Sequence, residues 1–207
     1  MTKAKRNLIK CTVCAAFAAV ICVLSPFAIP AAVPVTLATL GVYIAATSLP
    51  PSMSAAAVAL YLAIGAIGAP VFSGFTGGVG RFVSPTGGYL AGYLPMALMI
   101  SALVSLWRRG NKTDRDRKAK RPPFALDIAV RAACSVAGTV VLYALGTAWF
   151  AVSQKTAFAA ALSTCVLPFL PGDAAKIVAA AIVSRALEPV IDRAMGRTSA
   201  KKSAKSR

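Results

Sequence analysis

With 207 residues, 57% of them hydrophobic and only 14% charged, the chain is not an ordinary soluble domain, since such domains carry roughly 25% charged residues and a polar surface. The formal charge of +17 comes from 23 Lys plus Arg against 6 Asp plus Glu. The cations form three clusters beside long uncharged runs, which is the positive-inside pattern of a membrane protein and not the footprint of a nucleic-acid binder.

The first cluster is Lys3, Lys5, Arg6 and Lys10, and the first apolar run covers residues 8–24. It resembles a signal peptide, but further apolar runs follow, so it reads as a retained span. Cys11 and Cys14 have redox-motif spacing without the βαβ context that motif needs. The five Cys read as small apolar side chains, and the absence of His excludes a mixed Cys/His zinc site. Cys11, Ala15 and Ala19 recur at spacing four, which lets another helix approach closely.

Further apolar runs cover residues 36–49, 54–69, 88–107, 126–152 and 174–190. Each reads as a spanning helix, for which about 20 apolar residues are needed, and the second and third are short. Pro50 and Pro51 separate those two, with Ser52 or Ser54 as the expected cap of the next helix. The fold class is therefore an all-α membrane protein, a bundle of six transmembrane helices. Its basic segments all fall on one side, which makes the N- and C-termini cytoplasmic. The expected organisation is a membrane domain over residues 1–192, with a basic linker at about 108–123, and a basic tail over 193–207. The linker reads as a solvated tether. Trp107 and Trp149 are expected as anchors at opposite membrane faces.

The outer loops are residues 25–35, 70–87 and 153–172. The stretch 68–89 is the most informative, with eight phenylalanine, threonine, serine or tyrosine side chains among its glycines. Glycine permits close backbone approach. Phe75 can wall a ligand, Thr76 and Tyr89 can bond one, and Gly87 and Gly88 can let it come close. No Gly-Lys-Ser/Thr follows the glycines, so the loop is not a phosphate-binding loop and the chain is not expected to hydrolyse ATP. Arg81 can meet a ligand carboxylate or lie among lipid headgroups.

At the last helix, Asp173 has the role of N-cap available to it. Lys176 is harder to dismiss, because a cation in the first turn opposes the helix dipole. The two are three residues apart and share a face. One anion and one cation at the end of an apolar bundle suit a ligand with both donors and a carboxylate. Asp127 and Arg131 are spaced i, i+4 at the cytoplasmic start of their helix and read as a structural ion pair. There is no His, no acid pair within the spans and no nucleophile–base arrangement, so an enzyme is not expected. Inverted repeats and mid-membrane ion ligands, which a secondary transporter needs, are not apparent.

Four segments in order carry a resemblance: Pro34-Val-Thr-Leu-Ala-Thr-Leu40, Tyr61-Leu-Ala-Ile-Gly-Ala-Ile-Gly-Ala-Pro-Val-Phe72, Pro85-Thr-Gly-Gly-Tyr-Leu-Ala-Gly-Tyr93 and Pro171-Gly-Asp-Ala-Ala-Lys176. The chain resembles the BioY family, the substrate-binding S-components of energy-coupling-factor (ECF) biotin transporters. The resemblance implies six helices and a biotin pocket at the outer face, roofed by the loops before helices two, four and six. It implies that Asp173 and Lys176 hold polar groups of biotin while Tyr89 and the glycines before it line the pocket. It implies a transmembrane coupling subunit and ATPase subunits as partners, docked on helix one at Ala15 and Ala19. Biotin is then the transported ligand and no cofactor is expected. Many relatives carry Gln where this chain has Ala38, so any polar contact from that Gln is missing here.

Overall fold

The computed structural model describes residues 3–29, 35–115 and 122–195. The basic tail expected over 193–207 lies almost wholly outside them, as do residues 116–121 of the linker and 30–34 of the first outer loop.

Helix α1 (Lys3–Leu24) starts before the apolar run, because Lys and Arg are good helix formers and extend it. It buries only Phe17, Ala18 and Ile21 against the bundle. Ala15 and Ala19 are exposed, on the part of α1 that no other described element covers. Two short strands follow, β1 (Ala28–Ile29) and β2 (Val35–Thr36), paired antiparallel with Ala28 opposite Thr36.

Helices α2 (Ala38–Ser48) and α3 (Pro51–Ala66) are joined by a sharp break at Leu49-Pro50. The serine cap expected for α3 is not used. Pro50 occupies the N-cap position with Pro51 next, because proline's fixed φ already suits the first turn and its missing N–H has no partner to lose there. Ten of the eleven residues of α2 are buried, so it is the central helix of the bundle. After the short α4 (Gly80–Val83) come α5 (Gly87–Arg115) and α6 (Phe124–Gln154). Residues 108–115 of the expected tether are helical, as the end of α5. Helix α7 (Phe158–Cys165), a 3-10 turn (Leu167–Phe169) and α8 (Leu170–Ala194) complete the chain.

Among the described residues, four segments are long and apolar enough to cross a membrane: Lys3–Leu24, Gly87–Gly110, Phe124–Gln154 and Phe158–Ala194. The chain is a multi-pass membrane protein. Helices α2 and α3 are shorter, at 11 and 16 residues. Large apolar side chains such as Val20, Leu60, Leu106, Val140 and Ile182 remain exposed on several helices, which is stable only if the surrounding solvent is lipid.

The closest packing is between α5 and α6. A Cβ on Gly138 would lie 2.3 Å from Ile100, one on Gly88 2.2 Å from Trp149, and one on Gly146 2.4 Å from the Tyr89 ring. Without side chains at these points the two backbones approach closely, as in other membrane helix pairs. Trp149, which donates to the Ser84 carbonyl at 2.9 Å, therefore sits at the start of α5. Trp107 lies nineteen residues further along that helix, about 28 Å at 1.5 Å per residue.

At that far end the Asp127–Arg131 pair is present, at 3.1 Å. It is part of a larger buried cluster: Arg131 also meets Glu188 at 2.8 Å, and Arg185 meets Asp127 at 3.1 Å.

Candidate ligand-binding site

A small cavity opens at the other end of the bundle, with about 370 Å³ of empty volume counting its mouth. Seven elements converge on it. Thr36 comes from β2, Thr39 from α2, Tyr89 and Tyr93 from α5, Leu142 and Tyr143 from α6. Cys165 ends α7, Phe169 ends the 3-10 turn, and Asp173 and Lys176 open α8.

The acid–base pair forms because residues three apart on a helix share a face. Lys176 Nζ donates to Asp173 Oδ1 at 2.9 Å, with the side chains 11% and 6% exposed. Asp173 is not the N-cap of α8. That position is Phe169, and no side chain caps it. Because Pro171 and Gly172 are already helical, Asp173 falls within the first turn, where a carboxylate is favoured by the dipole. This frees both oxygens for the cavity. Oδ2 accepts from the Tyr143 hydroxyl at 2.6 Å and Oδ1 accepts from Thr39 at 3.4 Å. The ammonium donates in addition to the Thr36 carbonyl at 2.7 Å and to Thr39 Oγ1 at 3.2 Å.

All three ammonium protons are thus engaged, and the carboxylate accepts three bonds. A buried ion pair of this kind is tolerable only because its remaining bonding capacity is met. A ligand entering the cavity must exchange bonds rather than find vacant ones. Around the pair lie three tyrosine rings, Leu142, Phe169 and the Cys165 thiol. A mostly apolar wall with few convergent polar groups is the usual form of a small-molecule site.

A family model described as the BioY family matches residues 1–193 of this chain. The chain belongs to the BioY family. It is 34% identical over 163 residues to the biotin transporter BioY of Rhodobacter capsulatus, covering 75% of this chain and 78% of that one. It is 35% identical over 182 residues to the biotin transporter BioY2 of Lactococcus lactis, covering 87% and 91%. A crystal structure of the S-component for biotin from an ECF-type ABC transporter superposes with a TM-score of 0.76 over 91% of this chain and 95% of that one. The two are 24% identical, so the likeness is one of fold.

In this BioY-family chain the cavity gathers three of the residues singled out in the sequence, Asp173, Lys176 and Tyr89. It does not gather the others. Arg81 folds back on its own loop, donating to Thr76 Oγ1 at 2.8 Å and to the Ser73 carbonyl at 3.2 Å, which also accounts for Thr76. Phe75 is 63% exposed and packs edge-on to Phe27. Gly87 and Gly88 are packing glycines, against the Phe82 carbonyl and Trp149. Residues 67–86 contribute nothing to the lining. The segment is held by Phe72, whose ring fills the space that Gly65 leaves open on α3.

Helix α6 is the element that sequence reasoning missed. Its signal was present: Asp127, Arg131, Ser135, Thr139, Tyr143 and Thr147 recur at every fourth position of an otherwise apolar helix. Such a polar row on a membrane helix must face the bundle interior. Thr39, Tyr93 and Phe169 carried no signal of that kind. Ala38 is buried beside Thr39 but does not line the cavity.

Proposed function

We propose that this chain is the biotin-binding S-component of an ECF vitamin uptake transporter. The observation that carries the reading is the Asp173–Lys176 pair bonded to Thr39 and Tyr143 beside an apolar cavity. Biotin has a ureido ring with two N–H donors and one acceptor, a thioether ring and a carboxylate tail. Asp173 is suited to the ureido donors and Lys176 to an anionic or carbonyl oxygen, while the apolar wall suits the thioether ring. The relatives from Rhodobacter capsulatus and Lactococcus lactis, named as biotin transporters, support the same ligand. The chain is not an enzyme: it belongs to a family whose relatives are named as transporters.

In this reading α2 and α3 join the four longer segments as six crossings of the plasma membrane, forming one membrane domain over residues 1–192. The cavity faces outward and the basic segments, with both termini, lie in the cytoplasm. Transport inward uses ATP hydrolysed by partner subunits, reached through a transmembrane coupling subunit. The exposed Ala15 and Ala19 of α1 offer that subunit a surface of small side chains. Arg81 and Thr76 act on the ligand only by shaping the loop beside the cavity.

Calorimetry of the purified protein with biotin, dethiobiotin and other vitamins tests the ligand. Saturable binding of biotin is expected, and no heat with biotin overturns the reading. Biotin uptake by the chain alone in liposomes would replace its ATP-driven part.

A further inference from the structure

The proline pair leaves two buried carbonyls, those of Ala46 and Thr47, without a backbone donor. In a helix the carbonyl of Thr47 would accept from the N–H of residue 51, but residue 51 is proline and has none. Thr47 is fully buried, so no water replaces the missing donor, and an orphaned buried carbonyl is costly. Two guanidinium groups supply it. Arg131 Nη1 donates to the Thr47 carbonyl at 3.1 Å and Arg108 Nη2 at 3.0 Å. Cations at a helix C-terminus are also favoured by its dipole. Arg131 is 0% exposed and is itself held by Asp127, Glu188 and Ser184.

Helix α2 therefore has two polar ends. One is pinned by the arginines. The other presents Thr39, with Thr36 just before it, to Asp173 and Lys176. Thr39 and Thr47 are eight residues apart in one short helix, about 12 Å along its axis. So short a helix transmits an axial displacement from end to end. Midway, the Tyr43 hydroxyl is bonded to Thr139 of α6 at 2.6 Å. Thr139 bonds the Ser135 carbonyl, and Ser135 bonds the carbonyl of Arg131 itself.

We propose that Arg131 is a positioning residue for the ligand site at the opposite end of the bundle. By capping Thr47 it sets where α2 stands along its axis, and so how Thr36 and Thr39 meet Lys176 and Asp173. A purely structural cluster would hold the bundle together without being coupled to Thr39. This inference rests on the biotin reading for one of its two tests and is independent of it for the other.

The first test is a double-mutant cycle on biotin affinity. Arg131→Lys keeps the buried cation but cannot form the same fork of bonds. It is expected to weaken biotin binding roughly tenfold, with Thr39→Val contributing little further in that background. Unchanged affinity in Arg131→Lys, or losses that simply multiply in the double variant, overturns the proposal. Should Arg131→Lys fail to fold, Arg108→Lys removes the second donor's geometry and is read the same way.

The second test needs no ligand. Cys165 lines the cavity, so its alkylation rate reports the pocket once Cys11, Cys14, Cys22 and Cys134 are serine. Arg131→Lys is expected to change that rate severalfold, and an unchanged rate overturns the proposal. If the unaltered protein does not bind biotin, the proposed function fails while this second test still decides the inference.

Discussion

The hydroxyl of Tyr143 donates to Asp173 Oδ2 at 2.6 Å. It joins α6 to the first turn of α8 and leaves the other carboxylate oxygen for Lys176 and Thr39. The carboxylate is thereby oriented before any ligand arrives, which reduces the ordering cost of binding.

Tyr143→Phe removes that donor and keeps the ring. A hydrogen bond to a charged group contributes roughly 1.5–3 kcal/mol, so biotin affinity is expected to fall about tenfold to a hundredfold by calorimetry. Unchanged affinity would mean that the carboxylate is held adequately by Lys176 and Thr39 alone.

Asp173→Asn and Lys176→Ala each strand a partner in a nearly buried place. Each is expected to weaken biotin binding by roughly 1–3 kcal/mol or more. Because the two groups are bonded directly at 2.9 Å, the double variant should lose less than the sum. Equilibrium binding of radiolabelled biotin to the three variants measures this.

Gly146 leaves room for the Tyr89 ring, whose carbons would lie 2.4 Å from an added Cβ. Gly146→Ala must push a cavity-lining ring aside or part α5 from α6. A stability loss of about 1–3 kcal/mol is expected from overpacking, read as a lower unfolding midpoint in detergent, together with weaker biotin binding. Equal stability and affinity would show that α6 can retreat at this point without cost.

Arg81 holds its own loop by bonds to Thr76 and Ser73 and does not line the cavity. Arg81→Ala is expected to change biotin affinity by less than about threefold. It should speed proteolysis of the loop, since the bonds that hold the segment are lost. A loss as large as that of Lys176→Ala would place Arg81 on the ligand.

Much of this molecule was legible from its residues because it depends on local spacing. The apolar runs and the clustered cations require a membrane. Pro50 and Pro51 end one helix and begin another wherever the bundle places them, and the same Pro51 leaves Thr47 without a backbone donor. The i, i+3 spacing brings Asp173 and Lys176 together on any helix. What surrounds that pair was not legible, since Thr39 and Tyr143 are 134 and 30 residues away from Asp173. Nor was it legible that, in the loop rich in glycine and phenylalanine, Phe72 packs on Phe82 and on Tyr61 of α3 while Phe75 packs on Phe27.

Sequence by itself determined the solvent, the long apolar helices, the break at Pro50-Pro51 and the acid–base pair, because each follows from neighbours along the chain or from transfer out of water; α4, α7 and the 3-10 turn lie where outer loops were expected. Only the tertiary structure decided that α2 is central, that α6 faces the cavity, and that Arg131 caps a helix whose other end meets Asp173. Those relationships depend on which helix faces pack together, and in an apolar chain many faces are alike until the few polar groups find partners.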